Sequence, residues 1–257
     1  MFEKSKRIKL ISNVALVFVI LALCFWHLSI NPWHLIAAQP SFITYLAHNF
    51  FPPSLTNLQT YINTVLYTIA FAVVGTYISA ILSLILGLLM ADGINPYPIL
   101  RIIVRFVMTF TRTIPIVIWA SIMVFIFGIG SMVGLLALIL GTTGFLSRSY
   151  ADSLSEIAAT KLEPLRASGV STPIIILHGV LPEFAPAWIN WTLFSFEISI
   201  RASAILGMVG AGGMGVLVQT HLDLRNFNEV STLVLLLVVI VLCTEFLAGI
   251  VRKRVLT

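Results

Sequence analysis

A carboxylate and a guanidinium lie one helical turn apart in an otherwise apolar stretch of the chain, at Glu197 and Arg201. At 100° per residue, Asn190 falls within the same arc of about 40° on a helix, and the two charges are close enough to pair. Ionisable groups in apolar surroundings usually face a bundle interior or an aqueous cavity, so this face predicts a translocation pathway or a subunit interface. A structural ion pair that fixes helix packing, or guidance of an anion by Arg201, would give the same pattern.

A second isolated cation, Arg112, lies in another apolar stretch. It follows the predicted start of that stretch by about 13 residues, or about 20 Å of helix, which places it deep in a bilayer. A guanidinium there needs an acidic partner, a carbonyl group or water. We therefore assign Arg112 to the predicted pathway together with Asn190, Glu197 and Arg201.

One short segment holds five glycines, namely Gly207, Gly210, Gly212, Gly213 and Gly215. It formally matches the dinucleotide-binding pattern G-x-G-x-x-G, but that motif requires a preceding strand and a later acidic ribose ligand. Here an apolar stretch precedes it. Glycine-rich backbone can adopt unusual angles and pack closely, so the segment predicts a loop at a helix end.

The longest polar segment in the second half of the chain contains Thr160-Lys161-Leu162-Glu163, which matches a Ser/Thr-x-x-Glu capping box. Pro164 follows where a missing N–H is least harmful, and Gly169 can end the helix. The pattern predicts an exposed helix of about two turns at residues 160–169. This helix is either a simple connector or a docking element for a partner.

The remaining residues offer little chemistry of their own. A Gly-Lys-Ser/Thr phosphate-binding sequence does not occur, and the five histidines lack metal-ligand spacing. We therefore expect no catalytic residue, no metal site and no cofactor in this chain. The basic residues form no continuous stripe, which argues against nucleic acid.

The composition of the chain is strongly apolar, so each charged residue inside an apolar stretch is unusual. Of the 257 residues, 59% are hydrophobic and 10% are charged, against about 25% charged in soluble domains. A bilayer crossing takes about 20 apolar residues. The sequence therefore predicts an all-α polytopic membrane protein with six transmembrane helices, at residues 8–28, 62–90, 99–127, 132–146, 184–206 and 231–251.

The charges also predict an orientation. All but three of the 15 Lys and Arg residues lie in segments that would face the same side if the predicted helices alternate in direction. Basic residues accumulate on the cytoplasmic side, so both termini are expected in the cytoplasm. The first apolar stretch is too long for the usual signal-peptide core, and we interpret it as a retained helix. We divide the chain into 1–60, the first helix with an outer connecting segment, and 61–257, the core.

The segment after Lys161 resembles the EAA motif of permease subunits of ABC importers. Glu163, Gly169, Leu181 and Pro182 keep the spacing of that motif, and Pro164, Leu165 and Gly179 depart from it. Further matches to the phosphonate-transporter permeases are Phe50-Phe-Pro-Pro53, Arg112-Thr-Ile-Pro115, Thr142-Thr-Gly-Phe-Leu-Ser147, Phe196-Glu197, Arg201-Ala202 and Leu206–Gly215. The resemblance covers nearly the whole chain from Phe50 onward.

The resemblance implies a type I ABC importer permease fold in the bacterial inner membrane. It implies two ABC ATPase subunits, an extracytoplasmic substrate-binding protein and a second permease, either identical or paralogous, as partners in the bilayer. Glu163, Arg166, Ala167 and Gly169 would couple to the ATPase. The glycines from Gly207 to Gly215 would form part of a gate.

The implied function is ATP-driven import of phosphonate or a related small phosphorus oxyanion by alternating access. Related permeases often carry charge where this chain has Ile116 and Ser195, which counts against direct substrate binding here and favours a paralogous partner. The main alternative is an ion-coupled secondary transporter that uses Glu197, Arg201 and Glu245. A membrane-embedded enzyme is a weaker alternative.

Overall fold

A computed structural model describes residues 2–29, 31–167 and 169–256, and every regular element in these ranges is helical. The chain divides into two compact units at Phe51 and Pro52, so the predicted boundary at residue 60 stays a prediction. The first unit contains helices α1 (Phe2–His27) and α2 (Pro32–Phe50). The side chain of Asn31 caps α2 by accepting a 3.0 Å hydrogen bond from the Trp33 amide.

The second unit contains eight further α-helices in the ranges described. They are α3 (Leu58–Met90), α4 (Pro98–Thr113), α5 (Ile116–Phe127), α6 (Ser131–Ala167), α7 (Thr172–Ile175), α8 (Leu181–Leu206), α9 (Met214–Asp223) and α10 (Phe227–Leu256). The π-helical turns Ile176–Val180 and Gly207–Ala211 precede and follow α8. Five helical stretches of the described chain are long and apolar enough to cross a membrane, and α4 with α5 gives a sixth if this bent pair is one span.

Helices α3 and α6 pack along each other at the centre of the second unit. Small residues allow the close approach: a Cβ atom on Gly87 would lie 3.0 Å from the Cβ of Tyr150. The buried Ser83 hydroxyl donates to the carbonyl of Thr143 on the facing helix, at 3.3 Å. Helices α8 and α10 complete the bundle, and large apolar side chains remain exposed on its outer surface, as expected of a surface that faces lipid.

Helix α6 corrects the prediction of a short fourth span and of a separate helix at residues 160–169. It runs without interruption through Thr160, whose hydroxyl donates to the carbonyl of Ile157 and does not cap a helix start. The physical reason is an apolar residue every fourth position, which gives α6 a buried face well beyond residue 146. The buried residues are Leu146, Tyr150, Leu154, Ala158 and Leu162.

The predicted third span is not a straight helix. Helices α4 and α5 meet at an angle of 89°, with Ile114 in an extended conformation at φ −80° and ψ 123°. Pro115 lacks a backbone N–H, and its ring disfavours helical geometry in the preceding residue. The break therefore follows from the Ile114-Pro115 sequence.

A hydrogen-bond network closes the end of the second unit where α3 begins. The Glu229 carboxylate accepts from the hydroxyls of Ser54, Thr56 and Tyr61. Tyr61 also lies 3.2 Å from Nε2 of His221. The network fastens the segment before α3 to the last residues of α9 and the first turn of α10.

Candidate functional site

The bend between α4 and α5 is braced by a tryptophan. Nε1 of Trp119 donates a 3.1 Å hydrogen bond to the carbonyl of Thr111, one of the last carbonyls of α4. Carbonyls at a helix end have no partner within their helix, so Trp119 satisfies one that the break has freed. The two helix ends are thereby held together across the bend.

Two glycines of α6 let the bend lie directly against that helix. A Cβ atom on Gly144 would lie 3.1 Å from the backbone nitrogen of Arg112, and one on Gly141 would lie 3.1 Å from Cγ1 of Ile116. The last turn of α4 and the first turn of α5 therefore approach the α6 backbone closely. This contact fixes where the Arg112 side chain starts.

A partly open cavity of about 240 Å³ lies at the bend, lined by residues of α4, α5, α6 and α8, and Arg112 is exposed at it. Its wall is mainly apolar, with polar groups from Arg112, Thr142, Ser195 and Ser199. The Ser199 side chain is 1% exposed, and its hydroxyl has no hydrogen-bond partner among the described residues. A buried hydroxyl without a partner is costly, so the cavity presents an unused donor beside a cation.

Arg112 differs from the other two arginines of its helix. Asp92 lies 3.1 Å from Nε of Arg101 and 3.1 Å from Nη2 of Arg105, and Arg105 also donates to the carbonyl of Met90. Arg112 forms no ion pair within the described part of the chain. The arginine of α4 that lines the cavity, Arg112, is thus the one that has no ion-pair partner among the described residues.

Glu197 forms its ion pair with a residue of another helix and not with Arg201, although the sequence spacing would allow that pair. Oε1 of Glu197 lies 3.4 Å from Nη2 of Arg252, near the end of α10, while the Arg201 side chain is exposed. A pair one turn apart on a helix contributes only about 0.2–0.5 kcal/mol, and the packing of α10 against α8 supplies a competing cation. Asn190 is half-buried on α8, and neither Asn190 nor Glu197 lines the cavity.

The glycine segment forms a tight reversal between α8 and α9. Gly210 and Gly212 adopt φ values of +89° and +88°, and Gly213 adopts +77°, all in the region that favours glycine. A Cβ atom on Gly207 would lie 2.7 Å from the Cα of Gly215, so α9 folds back onto the end of α8. The predicted loop at a helix end is confirmed, and a helix precedes it where a dinucleotide site needs a strand.

The start of α9 is held by a side chain of α3. The backbone amide of Met214 donates a 3.0 Å hydrogen bond to the hydroxyl of Thr68, and both residues are buried. Since the first amides of a helix have no partner within it, Thr68 acts as an N-terminal partner from a distant part of the chain. This hydrogen bond fixes the end of the glycine reversal from which α9 begins.

The predicted coupling segment forms the exposed end of α6 and the turn after it. Ala167 ends the helix and is exposed, and Gly169 has φ +83° with open space around it. The side chains of Glu163 and Arg166 lie outside the described residues. Nζ of Lys161 lies 3.2 Å from Oε2 of Glu183, which links the end of α6 to the start of α8.

Sequence reasoning assigned Arg112 to the pathway and noted Ser195 only as a position without charge. It did not assign the hydroxyls of Thr142, Ser195 or Ser199 to the site. Thr142, Ser195 and Ser199 are common residue types without any distinguishing spacing. Their role depends on the tertiary contact of α6 and α8 with the bend. Arg252 was missed for the same reason, because its sequence position groups it with the basic residues that flank the last span.

Comparisons with known proteins support a transport role. A family profile described as "Binding-protein-dependent transport system inner membrane component" matches residues 83–257, more than half of the chain. The phosphite transport system permease protein PtxC of Stutzerimonas stutzeri is 29% identical over 95% of this chain and 89% of its own length. The cryptic phosphonate transport system permease protein PhnE2 of Escherichia coli (strain K12) is 36% identical over 47% of this chain and 98% of its own length.

The architecture is also found among solved structures. A chain of the MetNI methionine ABC transporter, solved in inward-facing conformations, superposes with a TM-score of 0.69 at 25% identity. The match covers 79% of this chain and 99% of that one. The predicted type I importer permease fold is confirmed, and the chain belongs to the family of binding-protein-dependent transport system inner membrane components, as a permease of an ABC importer.

Proposed function

We propose that this permease imports a small phosphorus oxyanion, with phosphonate and phosphite as the leading candidates. The observation that carries the proposal is the uncompensated Arg112 guanidinium at the cavity between α4, α6 and α8. Arginine recognises oxyanions such as phosphate and carboxylate through charge-assisted hydrogen bonds. The names of the relatives from S. stutzeri and E. coli agree with this substrate class.

The driving force would come from partner subunits. We infer two ABC ATPases that bind ATP and Mg, an extracytoplasmic binding protein that delivers the anion, and a second permease that is identical or paralogous. The exposed end of α6 and the turn through Gly169 are the candidate surface for the ATPases, with Glu163, Arg166 and Ala167 in the same segment. The basic residues would place this end, and both termini, in the cytoplasm.

Alternating access would move the bundle around the cavity. The pathway would include Arg112, and Asn190, Glu197 and Arg201 remain candidates for its wall or for the contact with the second permease. The glycine reversal from Gly207 to Gly215 is the candidate gate at the end opposite the ATPases. The ion-coupled alternative gains no support, because the Glu197 carboxylate is paired with Arg252.

The test is uptake by the reconstituted system. The permease, its ATPase and its binding protein are placed in proteoliposomes, and uptake of labelled phosphite or methylphosphonate is measured. We expect uptake that requires ATP and continues when ionophores collapse ion gradients. Uptake that follows a gradient without ATP would overturn the proposal.

The coupling surface is tested by Glu163→Ala and Gly169→Val. The first removes a carboxylate from the segment, and the second places a β-branched residue at φ +83°, where such residues are strained. We expect weaker co-purification of the ATPase and less stimulation of ATP hydrolysis by the loaded binding protein. Gly249→Ala, on an open surface of α10, is the control, and unchanged association in both test variants would contradict the assignment.

A further inference from the structure

The cavity at the α4–α5 bend has the composition of an anion-binding site. Its charged group is Arg112, and its other polar groups are the hydroxyls of Thr142, Ser195 and Ser199. No described carboxylate lines it. A guanidinium can only donate, and a hydroxyl can donate as readily as it accepts. The cavity therefore suits a ligand that is negatively charged and rich in acceptors.

Two of these groups are poised to bind. The Ser199 hydroxyl is buried without a partner among the described residues, so a ligand oxygen there would relieve the cost of an unused donor. Arg112 is the α4 arginine that forms no ion pair with a described carboxylate, whereas Arg101 and Arg105 both pair with Asp92. The full charge that α4 brings to the cavity is therefore that of the Arg112 guanidinium.

The size of the cavity limits the ligand. Its volume of about 240 Å³ corresponds to roughly eight water molecules at about 30 Å³ each. A tetrahedral oxyanion of about five heavy atoms fits there together with part of its hydration shell.

We propose that this cavity is a transient binding site for the transported tetrahedral oxyanion, with Arg112 as the counter-ion and Ser199 as a hydrogen-bond donor. The permease would thus contact its substrate directly, in addition to receiving it from a binding protein, contrary to the expectation drawn from the uncharged Ile116 and Ser195. The identity of the anion as a phosphorus oxyanion rests on the proposed function. The positions of the donors rest on the geometry of the cavity alone.

The experiment measures binding of phosphite to the permease–ATPase complex in lipid nanodiscs, without the binding protein, by 31P saturation-transfer NMR. We expect saturable binding to the wild type and an affinity loss of roughly tenfold or more for Arg112→Gln, since a hydrogen bond to a charged group contributes about 1.5–3 kcal/mol. Ser199→Ala should lose several-fold. Thermal unfolding and ATPase co-purification verify that each variant is assembled.

Arg101→Gln is the matched control, because it removes a guanidinium from the same helix and the same face while Arg105 keeps its bond to Asp92. Binding by Arg101→Gln should equal that of the wild type. Equal binding by Arg112→Gln and wild type, or an equal loss in Arg101→Gln, would overturn the proposed site. If the complete wild-type system imports no phosphorus oxyanion, the proposed function fails instead, whatever the cavity binds.

Discussion

Glu197 and Arg252 join helices α8 and α10 by an ion pair of 3.4 Å between Oε1 and Nη2, although 55 positions separate them in the chain. The Glu197 side chain is 12% exposed and that of Arg252 is 35% exposed. The pair is therefore intermediate between a surface ion pair and a buried one. It connects the helix that lines the cavity to the last helix of the bundle.

Removing either partner should destabilise the second unit. For Arg252→Gln we expect a loss of roughly 1–3 kcal/mol, between the values for exposed and buried pairs, because the Glu197 carboxylate keeps its burial and loses its counter-ion. Thermal and denaturant unfolding in detergent measure the loss. The double exchange Glu197→Arg with Arg252→Glu should recover part of it, and Arg254→Gln, an exposed neighbour, should change little. Full stability of Arg252→Gln would show that the pair contributes nothing.

Gly215→Ala should disrupt the reversal between α8 and α9. The new methyl group would collide with the carbonyl of Ala204 and with the backbone of Gly207, and neither group can move without shifting a helix end. We expect a loss of at least about 2 kcal/mol, seen as a lower midpoint of unfolding, together with slower transport. Gly249→Ala has open space in α10 and should be neutral or stabilising by about 0.5–1 kcal/mol. Similar stability of the two variants would contradict the tight contact.

Glu229→Ala should loosen the segment before α3. Three hydroxyls donate to this carboxylate, and the substitution removes that acceptor, at a cost of about 0.5–1.5 kcal/mol because water can reach these groups in part. Hydrogen exchange at residues 54–61 should become faster while α6 is unaffected. Asp223→Ala, whose carboxylate accepts from Gln219 in an exposed position, is the control. Unchanged exchange in Glu229→Ala would mean that backbone contacts alone hold the segment.

Trp119→Phe tests the brace across the α4–α5 bend. The substitution retains most of the aromatic volume and leaves the Thr111 carbonyl without its side-chain donor, which should cost about 1 kcal/mol. Unfolding experiments give the stability, and 31P measurements of phosphite binding report whether the cavity is altered. Trp33→Phe, at a tryptophan that is 76% exposed in the first unit, should match the wild type. We expect Trp119→Phe to be less stable than Trp33→Phe. Equal stability and equal phosphite binding in the two variants would show that the Trp119 hydrogen bond does not hold the bend.

The sequence was most informative where a single local signal decides the structure. Long apolar runs predicted the helices that cross the membrane, and the five glycines predicted the turn before α9. Gly169 was expected to end a helix, and it follows α6 with a positive φ. These features depend on residues that lie close together in the chain.

Two corrections came from signals that were present and given too little weight. Pro115 lies inside the predicted third span and breaks it. The apolar residues spaced four apart from Leu146 to Leu162 continue the buried face of α6, although the Thr160–Glu163 pattern suggested a new helix start. In the third span the rigid Pro115 interrupts the helix. In α6 the buried apolar residues continue the helix past the predicted start.

The cavity and the Glu197–Arg252 pair could not be predicted from local patterns. Ser199 and Thr142 become a site because α8 and α6 meet at the α4–α5 bend. Arg252 finds Glu197 because α10 packs against α8. Tertiary contacts of this kind leave no periodic signal in a single sequence.

Helix α6 connects the cavity at the α4–α5 bend to an exposed end of the second unit. Thr142 at the cavity and Ala167 at the exposed end belong to one uninterrupted helix, about 37 Å apart at 1.5 Å per residue. A displacement of the helix end near Ala167 can therefore reach the cavity wall through a single helix, in which the interior proline, Pro164, lies only in the last turn. One residue inserted between them would rotate the two ends by about 100° relative to each other, while leaving the composition of both surfaces intact.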